Sequence, residues 1–198
     1  MAEGTIDLVK FFVDKYLTEN CKTILDIGAK NSNYAKEFSS KVVPTLLDIV
    51  PIKSRFNSIC QDIMHYSNTE KYGAIWCSHL LEHALNVNLF LRKIMSLVDT
   101  NHPIGLVVPP RKDALVGGHL NLFTPGSLCY NVIMAEQDLS KADIIIHGYN
   151  IGLFWYKKNI TLPHLNYDKG DIEMLAQFFP IKVYQGINGV SNWGTTKI

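Results

Sequence analysis

Three acids stand where the chain can turn them toward one ligand. Asp26 and Gly28 close the short apolar run Lys22-Thr-Ile-Leu-Asp-Ile-Gly28, Asp48 ends the apolar run from Val42 to Val50, and Asp62 stands near the end of the weaker run from Asn57 to Ile63. In an open α/β sheet, ligands bind beyond the carboxyl ends of the strands, so acids at those ends are the first residues to weigh. Gly28 lets the backbone approach a ligand that a side chain would block, and Ala29 follows it in the same turn. Asp48 lies 20 residues beyond Gly28, a spacing at which a carboxylate can accept from both hydroxyls of a ribose, with Ile49 next to it. Asp62 is placed to accept from an adenine amino group, while Ile63 offers an apolar contact and a backbone N–H. Any one acid also reads as a plain strand-end cap; three in succession point to a shared ligand.

A second group of candidates follows the run Tyr72-Gly-Ala-Ile-Trp-Cys77, as Ser78-His-Leu-Leu-Glu-His83. His79-x-x-Glu82-His83 has the form H-x-x-E-H, in which two histidines one helical turn apart share zinc and the acid activates water. That chemistry needs a long helix and a further ligand downstream. Here the pattern starts directly after a strand, so a zinc hydrolase using His79, Glu82 and His83 is the minor alternative and no metal is expected. Ser78 and His79 instead face the ligand edge, and Glu82 and His83 are expected to cap or brace the next helix. A neutral histidine can take a proton from a hydroxyl or an amine. His79 is one candidate; His119, in the polar loop from Arg111 to Phe123, is the other. Either histidine also reads as the partner of a backbone group. Arg111, with Lys112, could hold an anionic group on a substrate, against the plainer reading of solvated loop charges. Tyr130, Trp155 and Tyr156 read as core, and Trp193 in the tail is placed to cover a pocket.

These residues need a scaffold that brings strand ends together. Apolar positions at helical spacing predict a helix from Thr5 to Asn20, a second from about Ser32 to Ser39, and a strongly periodic third from Val87 to Val98. Strands are expected at the four runs named above and at Pro103 to Val108, closed by Pro109-Pro110. Strand and helix therefore alternate, which argues for crossover units on a parallel sheet. A further helix begins near Pro125. Ala142 to His147 and Ile151 to Lys158 flank Gly148-Tyr-Asn150 and can pair only antiparallel, as a hairpin. A short helix around Asp171 to Phe179 completes the reading.

The chain has 198 residues, 47% of them hydrophobic, enough for one core, so a single domain over 1–198 is expected: an N-terminal helix (1–20), a ligand-binding core (21–160) and a C-terminal extension (161–198). Nineteen Lys and Arg against 18 Asp and Glu give a net charge of +1, which argues against a nucleic-acid partner. No apolar run reaches bilayer length and no signal-peptide pattern is present, so a cytoplasmic protein without a membrane partner is expected. Cys21, Cys60, Cys77 and Cys129 lack C-x-x-C pairing and read as reduced, mostly buried residues.

Ile24-Leu-Asp-Ile-Gly28, Leu47-Asp48, Gln61-Asp62-Ile63 and Ala74-Ile-Trp-Cys-Ser-His-Leu-Leu-Glu-His83 resemble, in order, the motifs of class I S-adenosylmethionine-dependent methyltransferases, especially the small-molecule, type 11-like group. The resemblance covers about residues 20 to 110. It implies a Rossmann-like, doubly wound α/β fold with a mostly parallel seven-stranded sheet and an antiparallel C-terminal hairpin strand. It also implies S-adenosyl-L-methionine as cofactor: Asp26 with Gly28 toward the methionine portion, Asp48 toward ribose and Asp62 toward adenine. The family's Gly-x-Gly-x-Gly is here Gly28-Ala-Lys-Asn-Ser32, which argues against a dinucleotide and motivates a rival reading, a non-catalytic cofactor-binding module or partner subunit. The leading expectation is methyl transfer to an oxygen or nitrogen of a small polar metabolite, such as a sugar or a phosphorylated intermediate of surface-glycan synthesis, with a homodimer left open.

Overall fold

A computed structural model describes residues 4–30, 34–168 and 170–183. The elements are α1 (Thr5–Tyr16), β1 (Thr23–Ile27), α2 (Ala35–Phe38), β2 (Val43–Asp48), β3 (Asn57–Cys60), β4 (Ile75–Ser78), a 3₁₀ turn (Leu81–His83), α3 (Val87–Ser96), β5 (Pro103–Val108), α4 (Pro125–Met134), β6 (Asp143–Ile146), β7 (Ile151–Tyr156), α5 (Asp171–Leu175) and a second 3₁₀ turn (Ala176–Phe178). The strands form one sheet in the order β3-β2-β1-β4-β5-β7-β6. β1 to β5 are mutually parallel, while β7 is antiparallel to both β5 and β6. Strand order reverses between β1 and β4, which makes the crevice beyond Ile27 and Ser78 the topological switch point.

Several predicted elements are shorter than their apolar pattern, for local reasons. β2 stops at Asp48 because that carboxylate accepts from the backbone N–H of Val50 and turns the chain (3.1 Å). β3 ends at Cys60, so Asp62 lies in a turn, where its Oδ1 accepts from Met64 N at 2.8 Å. α3 is capped by Asn86, whose side chain accepts from Leu89 N, so Glu82 and His83 do not cap it. α4 opens on a reciprocal Thr124–Ser127 cap followed by Pro125. Cys21, Cys77 and Cys129 are buried, whereas Cys60 is exposed on the edge strand β3. Tyr156, expected in the core, is 41% exposed: it ends β7, and its inward neighbour Trp155 takes the buried position. Tyr130 is only partly buried. Trp193 lies outside the described residues.

Two apolar layers sandwich the sheet. On one face, Leu25, Ile27, Ile75, Cys77, Ile104 and Leu106 pack with α3 and α4. On the other, Ile24, Trp76, Val107 and Phe154 pack with α1 and Phe38 of α2. Trp76 is fully buried, with its ring 5.4 Å from Phe12, 5.7 Å from Phe38 and stacked 6.1 Å from Phe154. Its indole lies across the neighbouring strand, where a Cβ on Gly105 would come within 2.6 Å of Trp76 Cε3. The central strand pair therefore requires a residue without a side chain at position 105. Gly105→Ala is expected to lower unfolding free energy by about 1–3 kcal/mol, the range for overpacking a filled core, as read by urea denaturation.

Candidate functional site

A cavity of about 550 Å³ opens at the strand tips, lined by residues that include Gly28, Asp48, Ile49, Asp62, Ile63 and Leu80. Five of the eight residues expected to bind the cofactor meet here: Gly28, Asp48, Ile49, Asp62 and Ile63. Gly28 has φ +74°, and its backbone N–H donates to Leu47 O at 2.8 Å, closing the turn out of β1. A Cβ at Gly28 would press on Leu80 Cδ2 at 3.1 Å, so the missing side chain keeps this wall of the cavity free. Lys30, where the related motif has its second glycine, takes the same left-handed conformation (φ +45°). It holds that course by donating its backbone N–H to Asp48 Oδ2 at 2.8 Å. Asp48 thus organises the loop while retaining lone pairs toward the cavity, since a carboxylate offers about four acceptor positions. Ser32 lies outside the described residues.

Asp26, Ala29 and Ser78 do not line this cavity. Ala29 is buried beside Ala35 and Leu46. Asp26 is 2% exposed, and its Oδ2 has no hydrogen-bond partner among the described residues; Ser78 Oγ is in the same condition. Burial, with a smaller contribution from the Asp48 charge, pushes the Asp26 carboxyl up to about 7. Tyr34 borders the same polar chamber, near Thr5, Ser78 and Asp26. Two buried, unsatisfied oxygens next to a glycine cradle are what a ligand bearing donor groups or positive charge would complete.

His79 sits at the end of β4 with φ +52°. Its Nε2 is 2.8 Å from Asn150 Oδ1, which also accepts from Thr5 Oγ1 at 2.9 Å, and its Nδ1 is 3.6 Å from Glu82 Oε1. Burial lowers the His79 pKa, but the Glu82 and Asn150 hydrogen bonds and the Glu82 charge outweigh it, and the net shift is upward. Nε2 is therefore committed to Asn150 while Nδ1 faces the Glu82 carboxylate, a fit for positioning. His79 and His83 are not on an α-helix and do not share a ligand position as the zinc-hydrolase reading requires. Among the described residues, the potential ligand atoms that converge are those of Glu82, His83 and His119. His119 lies in the loop after β5, with its ring 5.1 Å from that of His83. Arg111 does not join the site: it is 61% exposed and pairs with Asp113 at 3.0 Å. Lys112 lies over the Tyr149 ring.

Sequence reasoning missed Thr5, Tyr34 and Asn150, which come to the chamber from α1, the β1–α2 loop and the β6–β7 hairpin. Only the buried polar character of Asn150, between two apolar runs, could have signalled one of them.

No protein-family model matches the chain, and no curated protein does. Among solved structures it is similar to Burkholderia thailandensis 1,6-didemethyltoxoflavin-N1-methyltransferase with bound 1,6-didemethyltoxoflavin and S-adenosylhomocysteine (TM-score 0.67, 13% identity, 79% of this chain and 80% of that one). It is also similar to the sugar N-methyltransferase KedS8 from a Streptoalloteichus species (TM-score 0.62, 7% identity, 77% and 86%). A third likeness is to a SAM-dependent methyltransferase from Archaeoglobus fulgidus (TM-score 0.61, 14% identity, 77% and 94%). At these identities the likeness is one of fold, and that fold is the one of the class I S-adenosylmethionine-dependent methyltransferases.

Proposed function

We propose that the chain is a methyltransferase that binds S-adenosyl-L-methionine and methylates an oxygen or nitrogen of a small polar molecule. The observation that carries this reading is the convergence of Gly28, Asp48, Asp62 and Ile63 on one cavity at the switch point of the sheet. Asp48 would accept from the ribose hydroxyls and Asp62 from the adenine amino group, with Ile63 against the ring. Asp26 and Ser78 supply unsatisfied buried acceptors for the charged amino-acid end. When bound, the cofactor supplies an electrophilic methyl group on a sulfonium. What remains for the protein is alignment and removal of water, which can carry much of such a reaction without a dedicated base. His79 and His119 stand on the acceptor side of this reading, His79 as a positioning group.

The acceptor is proposed as a small hydroxyl- or amine-bearing metabolite, a sugar being one that fits. Near-neutral charge supports this over nucleic acid. Arg111, already paired with Asp113, gives no support to a phosphate anchor. The non-catalytic rival took its motive from the altered glycine loop, and Lys30 preserves the backbone course at the one altered glycine position among the described residues.

Calorimetry of the full chain with S-adenosylmethionine and S-adenosylhomocysteine should give saturable binding at one site; no binding of either removes the proposal. Asp48→Asn should weaken that binding about 10- to 100-fold, the loss expected for hydrogen bonds to a charged acceptor. A purified acceptor pool that takes up no labelled methyl, despite cofactor binding, would favour the non-catalytic module.

Asp26 makes a pH-dependent prediction. In the folded, ligand-free protein it holds its proton up to about pH 7, whereas in the unfolded chain it releases it near the ordinary 3.8. Its contribution to stability is therefore full below about pH 4 and is lost as pH rises toward 7. A ligand ammonium favours the ionised carboxylate, so affinity for S-adenosylhomocysteine should rise about tenfold from pH 6 to the plateau above pH 7. Asp26→Asn should flatten both this rise and the matching fall in melting temperature. Profiles that run parallel in the two proteins would refute the assignment.

A further inference from the structure

Glu82 is the most deeply buried acid of the acceptor side, and the mechanism above does not use it. Its side chain is 1% exposed, and its Oε2 has no hydrogen-bond partner among the described residues. It does not sit there by accident of packing, because its backbone is also an anchor. Glu82 O accepts from Leu120 N at 2.9 Å and from Asn121 N at 3.0 Å, and Asn121 Nδ2 donates to Ala84 O at 2.8 Å. These bonds fix the loop carrying His119 directly over the Glu82–His83 turn.

The tautomer of His83 follows from its partner. Its Nδ1 lies 2.7 Å from Gly118 O, a carbonyl that can only accept, so Nδ1 carries the hydrogen. In the neutral ring the lone pair is then on Nε2, which points toward Glu82 Oε1 at 3.8 Å. A lone pair facing a carboxylate oxygen is unfavourable, and either a proton on Nε2 or a metal ion between the two groups relieves it. A backbone carbonyl bound to the far nitrogen is also the usual outer partner of a metal-ligating histidine. His119 brings a third ligand atom, and the three lie within 4.8 Å of one another. Three ligands at about 2.1 Å from one ion are at most about 3.6 Å apart, so closure needs a movement of roughly 1 Å, within reach of side-chain rotation at the exposed His83 and the partly exposed His119.

We propose that Glu82, His83 and His119 form a binding site for one divalent transition-metal ion, of the two-histidine, one-carboxylate type that suits zinc, iron(II) or manganese. Three protein ligands leave positions open, and His83 also lines the cavity at the strand tips, so the open side of the ion faces that space. An acceptor hydroxyl or amine coordinated there would be oriented and made more acidic. The site differs from the zinc-protease pattern of the sequence because His79 is replaced by His119. Metal binding goes beyond the methyl-transfer reading and is measured without the cofactor, so either can fail alone.

The test is titration of the metal-free full chain with cobalt(II) chloride, followed by visible absorption, and with zinc(II) chloride in competition. One saturable equivalent is expected, with ligand-field bands. His119→Ala and His83→Ala should each weaken cobalt binding by at least the roughly 10- to 100-fold that loss of an outer partner alone costs. Both positions are partly or well exposed, so folding should survive, as checked by circular dichroism; Glu82→Gln adds the third ligand where it folds. His164→Ala, at an exposed position elsewhere, should bind as the parent does. Absence of a saturable equivalent in the folded parent overturns the proposal, as does retention of full affinity in either histidine variant or an equal loss in His164→Ala.

Discussion

Parallel strands deliver their carboxyl ends to one edge, and a right-handed crossover leaves helices on the two faces, so that edge is where polar groups from several strands can meet around one ligand. The proposed site follows from that constraint. Asp26, Asp48 and Ser78 are the last or nearly last residues of β1, β2 and β4, and Asp62 follows β3 by a single turn. The interiors of β1 and β4 are apolar on both faces, and this is why their polar residues are confined to the tips. Asp48 shows how tightly the two roles are joined: the carboxylate offered to the cavity is also the group that holds Lys30 and Val50 in place.

Much of this architecture is legible in the residues. The strand at Pro103–Val108 falls where apolar continuity puts it, and the hairpin follows from two runs too close to pair in parallel. Boundaries are legible only where a side chain visibly ends an element, as Pro125 and Asn86 do. At Asp48 and Asp62 the terminating interaction is a hydrogen bond back to the main chain, and the pattern of hydrophobicity carries no trace of it. Tyr156 departs from its expected burial for a related reason: alternation tells which face a residue takes, but not that the last rung of a strand lacks a covering layer.

The site divides in the same way. Acids at strand ends are readable because the strands are. The polar chamber is not, since Thr5, Tyr34, Ser78 and Asn150 come from parts of the chain separated by up to 145 positions. The histidines illustrate the limit most clearly. Spacing pairs His79 with His83, as an α-helix would. The chain instead takes a left-handed step at His79 and a 3₁₀ turn after it, so the two rings flank Glu82 and bond outward to different partners, His79 to Asn150 and His83 to Gly118 O. The loop after β5 then supplies His119, the ring that faces His83.

The bond from Thr5 to Asn150, and from Asn150 to His79, has a mechanical consequence. The first turn of α1 is coupled through the tip of the hairpin to the end of β4 by side chains alone, without an intervening layer of hydrocarbon. The opening helix is thus a wall of the chamber, hinged to its contents. Tilting that helix outward would draw Thr5 away from Asn150 and loosen the acceptor that holds the imidazole, so that the seating of the helix and the orientation of His79 are one motion.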